Sequence, residues 1–392
     1  MRIVQATWGV FHHFDLAREL DRRNHLFKVY STFPWARLKR EGLPHAKVQT
    51  FPWYHMAQLL AGRYLPGWRS AQSSLGYAAT ITFDEWLDHR IPQAGVDALI
   101  ALSGAGLKPG RRLQERGGLY ICDRGSTHQR YQERIVNEEL RRWGVEPSVS
   151  SARESLYQRE VVIYETADAI TVPSSFAARS FVELGIAKEK VHVIPYGVRL
   201  EKFRPVADLP ADSFEVLFVG QVGLRKGVPY LLEAFAGLKH PRKRLRVVGS
   251  VQPEILPILS KLPQDRVEFV GPLPQAEVAR YMSSSHVMVL PSIEEGLALV
   301  QGQAMACGCP VLATTNTGSE DLFTDGVEGF IVSIRDPNAI RERLQQLADD
   351  PALQQRMRAA ALERVQHLGG WSLYGDLWVN LLEQLLVARR QA

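Results

Sequence analysis

The sequence predicts an α/β protein of two domains, each built on a parallel sheet. Three observations carry that expectation: chain length, the alternation of short apolar runs with helical patterns, and a proline-rich joint near the middle. A chain of 392 residues is long enough for two α/β domains of ordinary size, each with its own core. Short β-rich runs separated by helices point to βαβ units. At the joint, Pro195, Pro205 and Pro210 fall among polar residues between two strand-rich halves, which is the composition of a domain linker. We therefore expect a first domain over 1–195, a linker over 196–213 and a second domain over 214–370.

The elements follow in order. Residues 3–6 read as the first strand, and residues 14–20 carry apolar positions at helical spacing. Residues 27–30, 98–102, 119–122 and 191–194 continue the strands of the first half. Beyond the joint, 216–219, 245–248, 267–270, 286–290 and 310–313 are strand candidates with helices between them. The segment 371–386 places Trp371, Leu373, Tyr374, Leu377, Leu381, Leu382 and Leu385 in a helical pattern.

Composition narrows the class. The hydrophobic share is 45% and the charged share 23%, ordinary for a soluble globular protein. A net charge of +5 suits an anionic ligand, a nucleic acid or a bilayer surface without separating them. Cys122, Cys307 and Cys309 make no disulfide framework, and Cys307-Gly308-Cys309 lacks the second pair of a zinc site, so tight packing is the expected role. The first seven residues are too polar for a signal peptide's core, and no run of 18 apolar residues occurs. A cytoplasmic protein is expected. The segment 51–68 is rich in aromatics, with Arg63 and Arg69 interleaved and Lys39, Arg40 and Lys47 before it. It reads either as a helix packed on the sheet or as a helix seated in a membrane interface, at the inner face of the membrane.

Three loops carry chemistry. In the first, a buried strand runs into Gly220-Gln221-Val222-Gly223-Leu224-Arg225-Lys226-Gly227, with a helix from Val228 to Gly237. Glycines let backbone amides approach a phosphate, and a helix N-terminus adds free N–H groups and positive potential. Arg225 and Lys226 add full charges. In the second loop a strand ends near Leu290, and a helix of small and apolar residues starts after Gly296. Glu294 and Glu295 at that strand end can accept hydroxyl hydrogens from a sugar or cap the helix. The N–H groups of Leu297, Ala298 and Leu299 can hold a diphosphate. The third loop, Thr314 to Asp321, again follows a strand and is expected to open a helix. All three would lie at C-terminal strand ends, where open parallel sheets bind ligands.

Residues 214–334 resemble the donor half of the retaining family 4 glycosyltransferases. The likeness rests on Gly220 with Arg225-Lys226-Gly227, on Glu295-Gly296-Leu297-Ala298-Leu299-Val300, on Ala304 to Val311, and on Gly326 with Gly329-Phe330. Upstream, Ala167 to Ser174 and Val193 to Val198 are similar to the same family. The resemblance implies a GT-B fold: two Rossmann-like domains facing a cleft, with the C-terminal helix crossing back to brace the first. It implies a retaining, metal-independent hexosyltransferase. A nucleotide-diphosphate sugar (UDP-, GDP- or ADP-linked) would bind the second domain, and a glycan or lipid-linked acceptor the first. It implies no obligatory cofactor. Lys226 and Arg225 would neutralise the donor diphosphate, and Glu295 would contact the transferred sugar. The family's second glutamate, which contacts the donor ribose, is here Gln303, and Gln221 stands where many relatives carry arginine. A neutral amide forfeits about 1 kcal/mol of charge assistance. These departures leave a non-catalytic nucleotide-sugar-binding protein as a competing reading. An epimerase or phosphorylase on the same fold is another.

For the first half, the resemblance implies that His128, in the loop after the strand 119–122, is a cleft histidine near the acceptor. Trp8-Gly9-Val10-Phe11-His12-His13 forms the first βα loop, where Gly9 would let the backbone approach the donor phosphates. His12 and His13 are not expected to hold a metal, because adjacent side chains rarely chelate one ion and no carboxylate partner is evident. No basic patch with stacking aromatics follows a nucleic-acid-reading motif, so nucleic acid is not expected as a partner.

Overall fold

The computed structural model describes residues 1–64, 69–92, 94–147 and 151–391. The first sheet contains β1 (Ile3–Thr7), β2 (Leu26–Ser31), β3 (Val48–Thr50), β4 (Ala98–Leu102), β5 (Leu119–Asp123), β6 (Ala169–Val172) and β7 (Val191–Val193). Its order is β3-β2-β1-β4-β5-β6-β7, and every pairing is parallel. The second contains β8 (Phe214–Val219), β9 (Lys243–Val248), β10 (Val267–Gly271), β11 (Val287–Leu290), β12 (Val311–Thr314) and β13 (Gly329–Val332). Its order, β10-β9-β8-β11-β12-β13, is again fully parallel.

These are two Rossmann-like sheets in the GT-B arrangement. In each, the chain winds outward from a central strand and then returns to that strand's other side. The reversals fall between β1 and β4 and between β8 and β11. Beside such switch points the loops at the C-terminal strand ends splay apart and leave a crevice. The central strands β1, β5, β11 and β12 are buried along their whole length, as sheets covered on both faces require.

The chain crosses between the sheets twice, and the crossings touch. Residues 194–213 contain no helix or strand. Gly197 lies so close to the return crossing that a Cβ there would stand 2.5 Å from the backbone nitrogen of Trp371. From Trp371 the chain forms the helix Trp371–Gln391, which packs on the first sheet's helix His13–Arg22. Tyr374, Trp378 and Leu382 are buried in the same cluster as Phe14 and Leu20. Arg23 pairs with Asp376 at 2.6 Å and Arg389 with Asp168 at 2.7 Å. Truncating a fully buried tryptophan such as Trp378 costs about 3–5 kcal/mol, so this return is anchored by packing.

The aromatic segment divides. Helix Trp53–Tyr64 packs on helix Arg69–Arg90. Phe51 stacks on Phe83 and Trp86, while Trp53, Tyr54, Leu59 and Leu60 stay exposed. Residues 65–68, the end of that expectation, lie outside the described residues. No helix among the described residues is long and apolar enough to cross a membrane.

Candidate functional site

Loops from both sheets enclose a cavity of about 1780 Å³ at the C-terminal strand ends. On the second domain's side, β8 leads through Gly220 into a tight turn, Leu224–Lys226, and then helix Val228–Gly237. Gly227 sits at φ +64°, and a Cβ on it would stand 1.9 Å from the carbonyl oxygen of Pro291. Only glycine allows that approach, and it presses the basic turn against the loop leaving β11.

The result is a cluster of two cations and two carboxylates. Lys226 Nζ pairs with Glu295. Arg225 Nη1 donates to the Glu294 carbonyl at 2.8 Å and lies 3.4 Å from a carboxylate oxygen of each glutamate. Burial opposes the Arg225 charge, but Glu295 and Glu294 outweigh it and raise the guanidinium pKa. Gly220, Lys226, Glu295, Leu297, Ala298, Leu299 and Gln303 all line the cavity, while Arg225 stands behind it on Glu294.

The two glutamates divide the work. Glu294 is fully buried and points across the domain boundary. Its carboxylate accepts from Ser126 Oγ at 2.6 Å, Thr127 Oγ1 at 2.8 Å and Gln132 Nε2 at 2.8 Å. Burial alone would raise its pKa; the Arg225 charge and those hydrogen bonds hold it below the usual carboxylate range. Neither glutamate caps the following helix, which is Leu299–Ala306 with Ala298 at its N-cap. The helix therefore starts two residues later than Gly296 suggests, and of the three expected N–H groups only that of Leu299 belongs to its first turn. Leu299 and Gln303, four residues apart, share the face turned to the cavity.

The third loop takes a different part from the one expected. It forms two short 3₁₀ turns rather than opening a helix, and none of its residues lines the cavity. Asp321 accepts from the Ser175 amide at 2.7 Å and its hydroxyl at 2.6 Å, and Glu320 pairs with Arg179. Its acids bind the first domain instead of a ligand.

Two expectations for the first domain are corrected. His128 does not reach the cavity. It is the N-cap of helix Gln129–Arg142, accepting the Arg130 amide at Nδ1 (3.1 Å), and its ring packs on Tyr164 and Phe181. Burial, then the charges of Arg124 and Arg130, push its pKa down to about 4. Gly9 lies behind the wall, its amide donating to Thr32 Oγ1 and its Cα against Phe33; Trp8, Val10 and Phe11 form the wall itself.

The histidine on the cavity wall is His12. It lines the cavity, and its Nε2 donates to Asp123 Oδ2 at 2.6 Å. His13 Nε2 lies 3.0 Å from the same oxygen. The carboxylate that the sequence did not reveal is thus Asp123, at the end of β5. Burial would raise the Asp123 pKa, but His12 and His13 outweigh it and hold the carboxyl well below its ordinary value. Burial lowers the His13 pKa, against the raising effect of Asp123. The three groups are close enough to suggest a metal site. However, 2.6 and 3.0 Å are hydrogen-bond separations, whereas ligand atoms around zinc stand about 3.3 Å apart. Arg124 was also missed. It is buried on the cavity wall, donating to Ser103 Oγ at 3.0 Å and to Gln132 Oε1 at 2.8 Å.

Comparison with known proteins agrees with this geometry. Residues 10–202 match the family described as Glycosyltransferase Family 4, and residues 200–364 match Glycosyl transferases group 1. A D-inositol 3-phosphate glycosyltransferase of Catenulispora acidiphila is 33% identical over 256 residues, 59% of either chain. The chain thus spans less than two thirds of that relative's length. Sucrose-phosphate synthase of Thermosynechococcus elongatus superposes with a TM-score of 0.70 at 22% identity, over 99% of this chain and 100% of that one. HepE of Anabaena, solved in complex with UDP-glucose, gives 0.68 at 16% identity, over 98% and 100%. At these identities the structures establish the shared fold.

Proposed function

The chain belongs to the group 1, family 4 glycosyltransferases, and from that premise we propose that it moves a hexosyl group from a nucleotide-diphosphate sugar to a hydroxyl acceptor. The observation that carries the reading is the Arg225–Lys226 turn, held by Gly227 against Glu295 at the cavity rim. Lys226 faces the cavity, and a diphosphate there would take over its pairing from Glu295. Glu295 is then free to accept the hydroxyls of the transferred sugar, and Arg225 adds positive potential from behind. Fixed cations aimed at the leaving group supply the charge stabilisation that a metal supplies elsewhere, so the transfer is metal-independent. Gln303 faces the ribose. The family resemblance supports retention at the anomeric carbon, with donor on residues 214–370 and acceptor on 1–195, joined by 196–213 and braced by 371–392.

The acceptor is a glycan or a lipid-linked hydroxyl. Exposed Trp53, Leu59 and Leu60 favour a membrane-associated one, and sedimentation with anionic liposomes tests that lean. For the donor, calorimetry with UDP-, GDP- and ADP-sugars identifies the base, UDP first because HepE holds UDP-glucose. The Arg225→Ala/Lys226→Ala double variant should abolish donor binding. Unchanged donor affinity in that variant would sink the site assignment.

A further inference from the structure

We infer that Trp8 and Glu160 form a hydroxyl-binding subsite for the acceptor, and that the acceptor presents a neutral sugar ring there. The inference rests on the transfer reading above and names the class of its acceptor. It gives both residues a binding role and neither a proton-transfer step.

The subsite lies at the first sheet's switch point. Trp8 follows β1 and Gly104 follows β4, and these two strands are neighbours. Glu160 comes from helix Ser151–Thr166. Gly104 holds φ +90°, a conformation that favours glycine. A Cβ there would stand 3.3 Å from Glu160 Oε1 and 3.6 Å from Trp8 Nε1, and it would meet no other described residue beyond its chain neighbours within 4 Å. The two polar atoms thus flank one open space. Trp8, Ser103 and Glu160 all line the cavity.

The chemistry of that space selects a hydroxyl. An indole N–H only donates and a carboxylate only accepts, whereas a hydroxyl does both. One hydroxyl can therefore satisfy Trp8 and Glu160 together. No hydrogen bond among the described residues uses Trp8 Nε1. A phosphate would meet the Glu160 carboxylate and gain no compensation from Arg124. The Arg124 Nε donates to the Thr127 carbonyl at 3.0 Å and its Nη1 to Ser103 Oγ at 3.0 Å. Its Nη2 donates to Gln129 Oε1 at 2.6 Å and to Gln132 Oε1 at 2.8 Å. These bonds take every guanidinium N–H but one, on Nη1, and Glu160 Oε1 lies 3.8 Å from that nitrogen. The hydroxyls of Tyr164 and Ser103 face the same carboxyl, so Glu160 is held in place.

The loop of Trp8 also offers an apolar face. Phe11 is 64% exposed and lines the cavity, and its φ of +40° sets a bulky residue in the left-handed region. Such backbone is rare for bulky residues and gathers at ligand-binding loops. A sugar ring matches both parts, with C–H groups for the aromatic face and hydroxyl edges for Trp8 and Glu160.

The test compares parent, Trp8→Phe and Glu160→Gln for transfer from the nucleotide sugar that the parent binds. The acceptors are methyl and octyl glycosides of glucose, galactose and mannose, their mono-deoxy derivatives, and glucose 6-phosphate. The parent should use at least one neutral glycoside, with kcat/KM about tenfold or more above that for glucose 6-phosphate. Use of methyl glycosides marks a free glycan as the source, and use of octyl glycosides alone a lipid-linked one; either supports the inference. Each variant should raise the acceptor KM by about five- to tenfold, the weight of one hydrogen bond, with donor KM within twofold and the thermal midpoint unchanged. One mono-deoxy derivative should lose a similar factor with the parent and nothing further with either variant, which a merely structural role would not produce. Four results overturn the inference: preference for glucose 6-phosphate, no transfer to any neutral glycoside by a parent that binds a nucleotide sugar, a donor KM that rises in step with the acceptor KM, or a deoxy penalty that persists in both variants. A parent that binds no nucleotide sugar removes the functional reading itself, and this inference with it.

Discussion

Thr127 and Glu294 meet across the domain boundary, the threonine hydroxyl donating to the carboxylate at 2.8 Å. Ser126, Gln132 and Arg225 complete the shell around the same group. The glutamate beside the one we assign to the sugar is thus the one that joins the domains. Removing one partner of a buried, hydrogen-bonded charge cluster costs about 3–5 kcal/mol. Glu294→Ala should lose stability on that scale in urea titration and raise hydrogen exchange at helix Gln129–Arg142. Glu295→Ala should keep most of the stability but lose turnover. Equal stability loss in both variants would remove the division of roles.

A second buried carboxylate clamps the same helix. Glu139 accepts from Tyr230 Oη at 2.7 Å, Arg335 Nε at 2.7 Å and Trp143 Nε1 at 2.8 Å. Tyr230 and Arg335 belong to the second domain, and Ile135 of the same helix is buried in that domain's core cluster. Glu139→Ala should therefore destabilise by about 3 kcal/mol without changing UDP affinity, because none of these groups lines the cavity. Denaturant midpoints and calorimetry on one preparation check both halves of that statement.

Most of the fold was legible in the sequence because apolar runs and helical spacing are local signals. The short strands β3, β6 and β13 were not read as strands, since three or four residues carry little pattern. The basic turn was legible for the same local reason: Gly220, Arg225, Lys226 and Gly227 are neighbours in the chain. The first domain's side of the cavity was not. The His12–Asp123 pair spans 111 residues, and only the sheet order brings the two together. His128 was misplaced because no helix was read directly after it, and histidine is not among the residues favoured at an N-cap. Asp321 and Glu320 had no readable signal, because their partners Ser175 and Arg179 come from the other domain.

Gln303 tests the donor assignment quantitatively. It lines the cavity one helical turn from Leu299. A carboxylate at that position would accept a ribose hydroxyl with charge assistance worth about 1 kcal/mol. Gln303→Glu should then tighten UDP binding by roughly fivefold by calorimetry. Unchanged affinity would take Gln303 out of the ribose site.

The buried histidines set the acid limit of stability. His128 Nδ1 accepts the Arg130 amide at 3.1 Å, and His286 Nδ1 accepts the Glu215 amide at 3.0 Å. Each bond needs a lone pair that protonation of that nitrogen would consume. Both pKa values are pushed down to about 4 from 6.5, by burial first. Between those values the unfolded chain binds protons that the folded one does not, so stability rises with pH across the window and falls as pH drops below 6.5. Each group contributes a slope of up to about 1.4 kcal/mol per pH unit. His13, His55 and His192, also lowered by burial, add in the same direction. The carboxylates held low, Glu294 among them, act only below about 4.5, whereas Glu160 and Asp321, raised by burial, oppose the histidines above it, so over the interval from pH 5 to 6.5 the contribution of His128 is read from the difference between variant and parent. His128→Asn keeps a side-chain acceptor for the helix cap but cannot titrate. Urea midpoints across that interval should therefore show a flatter pH slope for this variant than for the parent. A slope unchanged by the substitution would mean that His128 is protonated in the folded chain as readily as in the unfolded one.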